Sequence, residues 1–398
     1  MSNEKTDVQT DLRRRVEALL AEHDPATTDQ LTFLRARFDA GLAWVWFPEG
    51  LGGLGLPREL QLEVNAQLDA AGAPVHERYK NQVGLDTAAP TILAFGTEEQ
   101  KRRFLRPLWT GEEVWCQLFS EPGAGSDLAG LSTRAVREGD SWVVNGQKVW
   151  TSLAHTARWG ILLARTDPDV PKHAGITFFV CDMHEPGVDV RPLRQITGEA
   201  EFYEVFLTDV RVPDSARLGA EGEGWKVANT TLNNEREAIG GSAPQREAGV
   251  TGVLFRTWRE RPERRTPELH DRLLSLWVEA EAARLSGLKL RQKLAAGQPG
   301  REGSATKLAF AKVAQATTGL EVELLGEDGL RYSDWTETRP DHADPSGRDA
   351  GYRYLRTKAS SIAGGTSEIL RNIIAERVLG LPPEPRVDKT VPWKDLPR

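Results

Sequence analysis

Cysteine is nearly missing from this chain: Cys116 and Cys181 are its only two in 398 residues. So few thiols write neither a disulfide framework nor a metal cluster, although one Cys–Cys pair stays open, and a reducing cytoplasm is the simplest expected home. No apolar run is long enough to span a bilayer, and the opening MSNEKTDVQTDLRRR lacks the apolar core of a secretory leader; no membrane role is expected. Excess positive charge is lacking as well. The formal net charge is −7, which argues against a dedicated nucleic-acid binder. The one arginine-rich stretch, Arg259, Arg261, Arg264 and Arg265, is interleaved with Glu260 and Glu263 and reads as a solvated face. Internal repeats and low-complexity tracts are also missing. What remains is a soluble globular composition, 27% charged and 39% hydrophobic, with length enough for two or three domains.

The chain divides by periodicity. Residues 1–112 read as helical: Leu12, Val16, Leu19 and Leu20 recur at the spacing of one buried helix face. Gly52, Gly53 and Gly55 form a loop, Pro57 opens a further helix, and Thr97 is a predicted N-cap with Glu98 and Glu99 at the positive helix end. Residues 113–222 read as β, with short β-branched and aromatic runs at 161–164, 176–180 and 203–212 separated by Gly, Pro and Asp, as in a sandwich or barrel rather than a βαβ sheet. Residues 223–398 return to helix, interrupted by turn-rich breaks at GQPGREGSATK and at the polar stretch TETRPDHADPSGRDAGYRY. The last helix is predicted to start after Gly364-Gly365-Thr366, to bury Ile369, Leu370, Ile373, Ile374 and Val378, and to stop at Leu381-Pro382-Pro383.

The organising stretch runs from Trp115 to Ser152. WCQLFSEPGAGSD ends in Gly123, Gly125, Ser126 and Asp127, where glycines allow close backbone approach to a ligand and Ser126 offers a donor. SWVVNGQKVWTS reads as a hairpin turning at Asn145-Gly146. Taken alone, each half is equally an ordinary loop or hairpin. Together, SEPGAGSD and NGQKVWTS resemble the flavin-binding signature of the acyl-CoA dehydrogenase family, and the resemblance extends over about residues 40–382.

That family removes two hydrogens from an acyl-CoA thioester: a carboxylate takes the α proton and a hydride leaves the β carbon for flavin N5. The resemblance implies FAD contacts from Gln117, Phe119, Ser120, Gly125, Ser126, Trp150, Thr151 and Ser152, with Trp150 against the ring and Ser152 toward N5. Thr366 and Glu368, at a helix start, would also approach FAD. Core packing is the competing reading for Phe119 and Trp150. Most members carry the catalytic Glu just before the Gly-Thr of the last helix; SSIAGGTSEIL has Gly364 there. Its N–H, with Gly365 beside it, can still serve the thioester oxygen. Some branches place the base on the earlier helix before an Arg, and TLNNEREAIGG offers Glu235 followed by Arg236. Partial burial on an apolar helix would raise its pKa toward that of a useful base; a solvent-facing Glu235 paired with Lys226 or Arg246 is the competing reading. Asn233, Asn234, Arg236 and Ser126 would flank the substrate.

The expected architecture is α+β and multidomain: an N-terminal helical domain, a central β-barrel or sandwich domain, and a C-terminal four-helix bundle. The resemblance implies FAD between the β domain and the bundle, an electron-transfer flavoprotein as acceptor, and a tetramer. Departures bear on that assembly. The Arg-x-Phe-Gly element that reaches a neighbour's FAD is missing, and Glu323 and Glu327 stand where Gln and Gly are usual. PGREGSATKLAF resembles the actinobacterial steroid-side-chain enzymes, whose unlike subunits share each FAD, so both a homotetramer and a heterotetramer are open. Two other readings keep the fold: an oxygen-using flavin enzyme, and a non-catalytic subunit of a heteromeric dehydrogenase.

Overall fold

The computed structural model describes residues 2–240, 245–295, 303–333, 335–336, 338, 347–386 and 388–397, with backbone alone at 2–6, 78, 236–240 and 294–295. The N-terminal part is built from α1 (Ser2–Glu22), α2 (Gln30–Asp39), α3 (Gln61–Ala70), α4 (Ala89–Phe95) and α5 (Glu98–Thr110). Leu12, Val16 and Leu19 are buried with Phe33, Val64 and Leu68, as their spacing predicts. Thr97 caps α5 with a full capping box: its hydroxyl accepts from the Gln100 N–H while the Gln100 side chain returns to the Thr97 N–H. Caps of this kind contribute about 1 kcal/mol. A π-turn at Gly84–Ala88 feeds α4, whose Thr91 hydroxyl meets Thr231 at 2.8 Å.

The middle of the chain forms one seven-stranded mixed sheet: β1 (Trp115–Leu118), β2 (Arg134–Glu138), β3 (Ser141–Ser152), β4 (Trp159–Arg165), β5 (Ile176–Asp182), β6 (Val188–Leu193) and β7 (Phe202–Pro213). The order is β1-β4-β2-β3-β7-β6, with β5 on β4. β1 runs parallel to β4; β2/β3, β3/β7, β4/β5 and β6/β7 are antiparallel. The expected hairpin at Asn145-Gly146 is not there. β3 passes straight through both residues, and the turn lies upstream at Gly139, in left-handed backbone (φ +62°). Asn145 instead exchanges hydrogen bonds with Asp209 on β7, where the register shifts. Gly146 is needed for closeness: a Cβ there would sit 2.3 Å from Thr133 Oγ1 and 2.7 Å from Thr133 Cα. Cys116 and Cys181 are free and buried, flanking Gly160 across β1, β4 and β5.

The C-terminal helices are α6 (Gly224–Gly240), α7 (Gly249–Glu260), α8 (Pro267–Ala295), α9 (Gly303–Leu325), α10 (Ala350–Lys358) and α11 (Ser367–Arg377). α9 is the hub, packing on α6, α7, α8, α10 and α11. A buried pair, Arg353 to Glu321, ties α10 to α9. α11 ends before Leu381-Pro382-Pro383, and Val378, expected in its buried stripe, is exposed, as are Leu379 and Leu381. Leu273 turns inward while Leu274 faces out with Val278 and Leu285 on the same side of α8. Of the predicted breaks, 296–302 and most of 337–346 lie outside the described residues. No described helix is long and apolar enough to cross a membrane. A shared core joins the parts: Phe104, Leu105 and Trp109 from α5, Trp115 from β1, Phe178 from β5, and Val227 and Ala228 from α6.

Candidate active site

The segment after β1 is pinned from beneath by a charge pair that sequence reading missed. Lys148, fully buried in β3, donates to Glu121 Oε1 at 2.8 Å and to the Phe119 carbonyl at 3.1 Å. Glu121 also accepts from the Ser132 N–H and hydroxyl and from the Thr133 N–H. Burial works against its charge, but Lys148 and these donors hold the carboxyl down to about 2. The Val149 N–H donates to the Ser120 carbonyl. Gln117 is half-buried on β1, and the Phe119 ring lies in the core against Phe178 at 5.7 Å. The loop then turns through Gly123 and Gly125, above which a Cβ would meet nothing within 4 Å. Gly125 and Ser126 are exposed. A Glu in SEPG and a Lys in NGQKV, each inside an apolar context, were the available clue to the pair.

Trp150 and Thr151 owe their directions to a second irregularity in the β3/β7 register, between Lys148 and Thr151. Trp150 sits there in left-handed backbone (φ +62°), a conformation that costs a bulky residue of order 1–3 kcal/mol and clusters at ligand sites. The result is an indole 57% exposed, set edge-on to Phe202, beside a Thr151 hydroxyl that is buried without a hydrogen-bond partner among the described residues. Ser152 is half-buried at the strand end. An exposed flat ring, an unmet hydroxyl and an open glycine face fit a planar heteroaromatic ligand with polar edges, as a flavin is.

On α6, Glu235 and Asn234 are half-buried and Asn233 is exposed; the side chain of Arg236 lies outside the described residues, as does Gly241. The cations that could have paired with a solvent-facing Glu235 are bonded elsewhere: Lys226 to Glu223 and Arg246 to Glu281. Gly364 and Gly365 both adopt left-handed backbone (φ +66° and +98°) in an exposed turn. Lys307 of α9 donates to the Gly365 carbonyl at 2.7 Å, so α9 connects that turn with α6. Thr366 caps α11, accepting from the Ile369 N–H at 3.2 Å. Glu368 is exposed and paired with Arg371. Glu323, exposed on α9, is paired with Arg272 at 2.6 Å, and Glu327 is exposed. Among the arginines read as a solvated face, Arg259 and Arg261 pair with Glu247 and Glu263.

Comparison with known proteins follows the same divisions. The N-terminal, middle and C-terminal domain models of acyl-CoA dehydrogenase match residues 4–112, 116–210 and 222–379. The chain is 43% identical to acyl-CoA dehydrogenase FadE34 of Mycobacterium tuberculosis over 86% of its own length, spanning 45% of that relative. It is 40% identical to acyl-CoA dehydrogenase IpdE1 of the same organism, covering 87% of this chain and 86% of the relative. The solved structure of the Tcur3481-Tcur3483 steroid ACAD superposes with a TM-score of 0.71 at 27% identity, over 95% of this chain and 98% of that one. With helical, sheet and helical parts in the same order and a site suited to a flat ring, the chain belongs to the acyl-CoA dehydrogenase family.

Proposed function

We propose that this chain carries out FAD-dependent α,β-dehydrogenation of an acyl-CoA thioester, with Glu235 as the base. One observation carries the assignment of the base: the turn before α11 has Gly364 where most of the family has Glu, while Glu235 is a half-buried carboxylate on α6. A carboxylate there can accept the proton released from the α carbon of a bound ester. Trp150, Thr151, Ser152, Gln117 and the backbone of Phe119 and Ser120 would hold FAD, joined by Thr366 at the α11 start. When bound, FAD supplies the hydride acceptor. The chain's part is positional. Glu235 takes the α proton, the Gly364 N–H steadies charge on the thioester oxygen, and Ser126, Asn233 and Asn234 line the thioester arm, with Gly125 and Gly365 leaving room for it.

The similarity to a steroid ACAD, with the resemblance of PGREGSATKLAF, makes a steroid-derived acyl group the favoured substrate class. A tetramer, of like or unlike subunits, passing electrons to an electron-transfer flavoprotein in the cytoplasm completes the reading. Arg272 offsets the charge of Glu323, so an acidic side chain there does not by itself repel a neighbour's pyrophosphate. The test is an anaerobic titration of the purified protein with short, branched, long and steroid-derived CoA esters. Bleaching of bound flavin by one class, abolished in Glu235→Gln with flavin content kept and the rate down by at least about a thousandfold, is the expected result. Bound flavin that no ester bleaches would favour the oxygen-using reading; a chain that holds no flavin points to a subunit needing an unlike partner. Unchanged reduction in Glu235→Gln removes that residue from the mechanism.

A further inference from the structure

The glycine loop proposed above to meet the CoA thioester has little structure of its own. Between Glu121 and Leu131 it holds a Glu121–Ala124 bridge and a single 3₁₀ turn at Leu128–Gly130. It is fixed by two buried cations, Arg165 of β4 and Lys172 of the β4–β5 connection. Arg165 of β4 donates to the carbonyls of Leu131 and Ala129, at 3.0 and 2.6 Å, and to that of Lys172 at 3.0 Å. Lys172 binds both oxygens of Asp127 at 2.8 Å. Burial lowers Arg165 to about 10 with no carboxylate bonded to its guanidinium in these contacts.

A remote segment completes both cations. Asp388 is the second carboxylate on Lys172, at 2.7 Å. The Trp393 ring covers the Arg165 guanidinium at 4.3 Å, and its indole N–H donates to the Gly130 carbonyl at 3.3 Å. The segment is laid down along the β4–β5 connection: Trp393 N–H to Val170 O at 2.9 Å, Lys394 N–H to Pro168 O at 3.1 Å, and Lys394 to Asp169 at 2.5 Å. All this lies after residue 379, where the C-terminal family model stops matching. Ser126 itself stays exposed.

We propose that Asp388–Leu396 is a strap that positions the Ser126–Leu131 loop for the CoA thioester, with Trp393 as its positioning residue. The thioester part of this inference rests on the function proposed above; the mechanical part does not. A desolvated guanidinium is stabilised by a covering ring, and a loop held from behind loses its ordering entropy before the ligand arrives, so the ligand binds more tightly without any new contact to it.

The experiment compares the flavin-loaded wild type with Trp393→Ala, and with a variant lacking residues 388–398 in case the single change is compensated. Hydrogen exchange is followed at the Gly130 and Leu131 amides, which bond to Asp127 and Leu128 within the loop. The expected result is exchange faster by about tenfold or more at these amides, with KM for the ester that bleaches the flavin raised about fivefold and kcat changed by less than about twofold. Trp393→Phe, which keeps the ring over Arg165, should recover most of the effect. Unchanged loop exchange, or faster exchange with KM unchanged, overturns the proposal even if the melting temperature falls. If no CoA ester reacts with the wild type, the functional reading fails, while the exchange data still decide whether the strap holds the loop.

Discussion

A carboxylate as enclosed as Glu121 stays charged because four donors meet it: Lys148 Nζ, the Ser132 N–H and hydroxyl, and the Thr133 N–H. Its ordinary pKa of 4.5 falls to about 2 in the fold. The folded state therefore binds fewer protons than the unfolded state between those values, so the stabilisation is complete above about pH 4.5 and is lost as pH falls toward 2. The limit is about 3 kcal/mol. Urea melts across the acid range should show this slope in the wild type and its loss in Glu121→Gln. That variant should also be weaker at neutral pH, by about 3–5 kcal/mol, because Lys148 is left buried without its counter-charge. Little at this scale was legible beforehand. Trp150 and Thr151 stood out through a family resemblance, but their directions depend on a register slip against β7, and one strand's sequence does not state its partner's register.

Among the elements, β3 is the instructive case. Asn-Gly is a strong turn signal because both residues tolerate positive φ, yet here each does other work inside a strand: Asn145 bonds Asp209 and Gly146 lets Thr133 come close. The chain reverses at Gly139 instead. A tertiary contact decided the matter, and no local pattern reports one. Gly146→Ala should accordingly cost about 1–3 kcal/mol in chemical denaturation, since the added methyl meets backbone as well as a side chain. A Gly146 that served only a turn would have shown φ above zero, which the strand does not require. The helices were easier to read. Thr97 caps where expected, and α11 starts just after Thr366 as predicted, because capping depends on residues within one turn of each other.

For the whole molecule, the order helix, sheet, helix was written in periodicity and needed no knowledge of contacts. Assembly was not. Leu274, Val278 and Leu285 line one outward side of α8, and Ile362, Val378, Leu379 and Leu381 are exposed around α11. Apolar surface gathered in this way marks interaction sites. Light scattering on the purified protein should give a mass above that of one 398-residue chain, and Val278→Glu with Leu285→Glu should shift it downward. A monodisperse single chain would leave those faces unexplained. The remote strap was equally illegible: Trp393 lies 228 positions from Arg165, and nothing around a Pro-flanked tryptophan names the cation it will cover.

The two cysteines carry a practical consequence. Both lie at 0% exposure on either side of Gly160, on the two strands that flank β4 there, and burial pushes Cys181 up to about 12. While the sheet is closed there is neither access nor thiolate for an alkylating reagent. The rate at which the untouched protein takes up such a reagent is thus a clock for opening of the sheet, and loss of flavin can be timed against it without a single engineered probe.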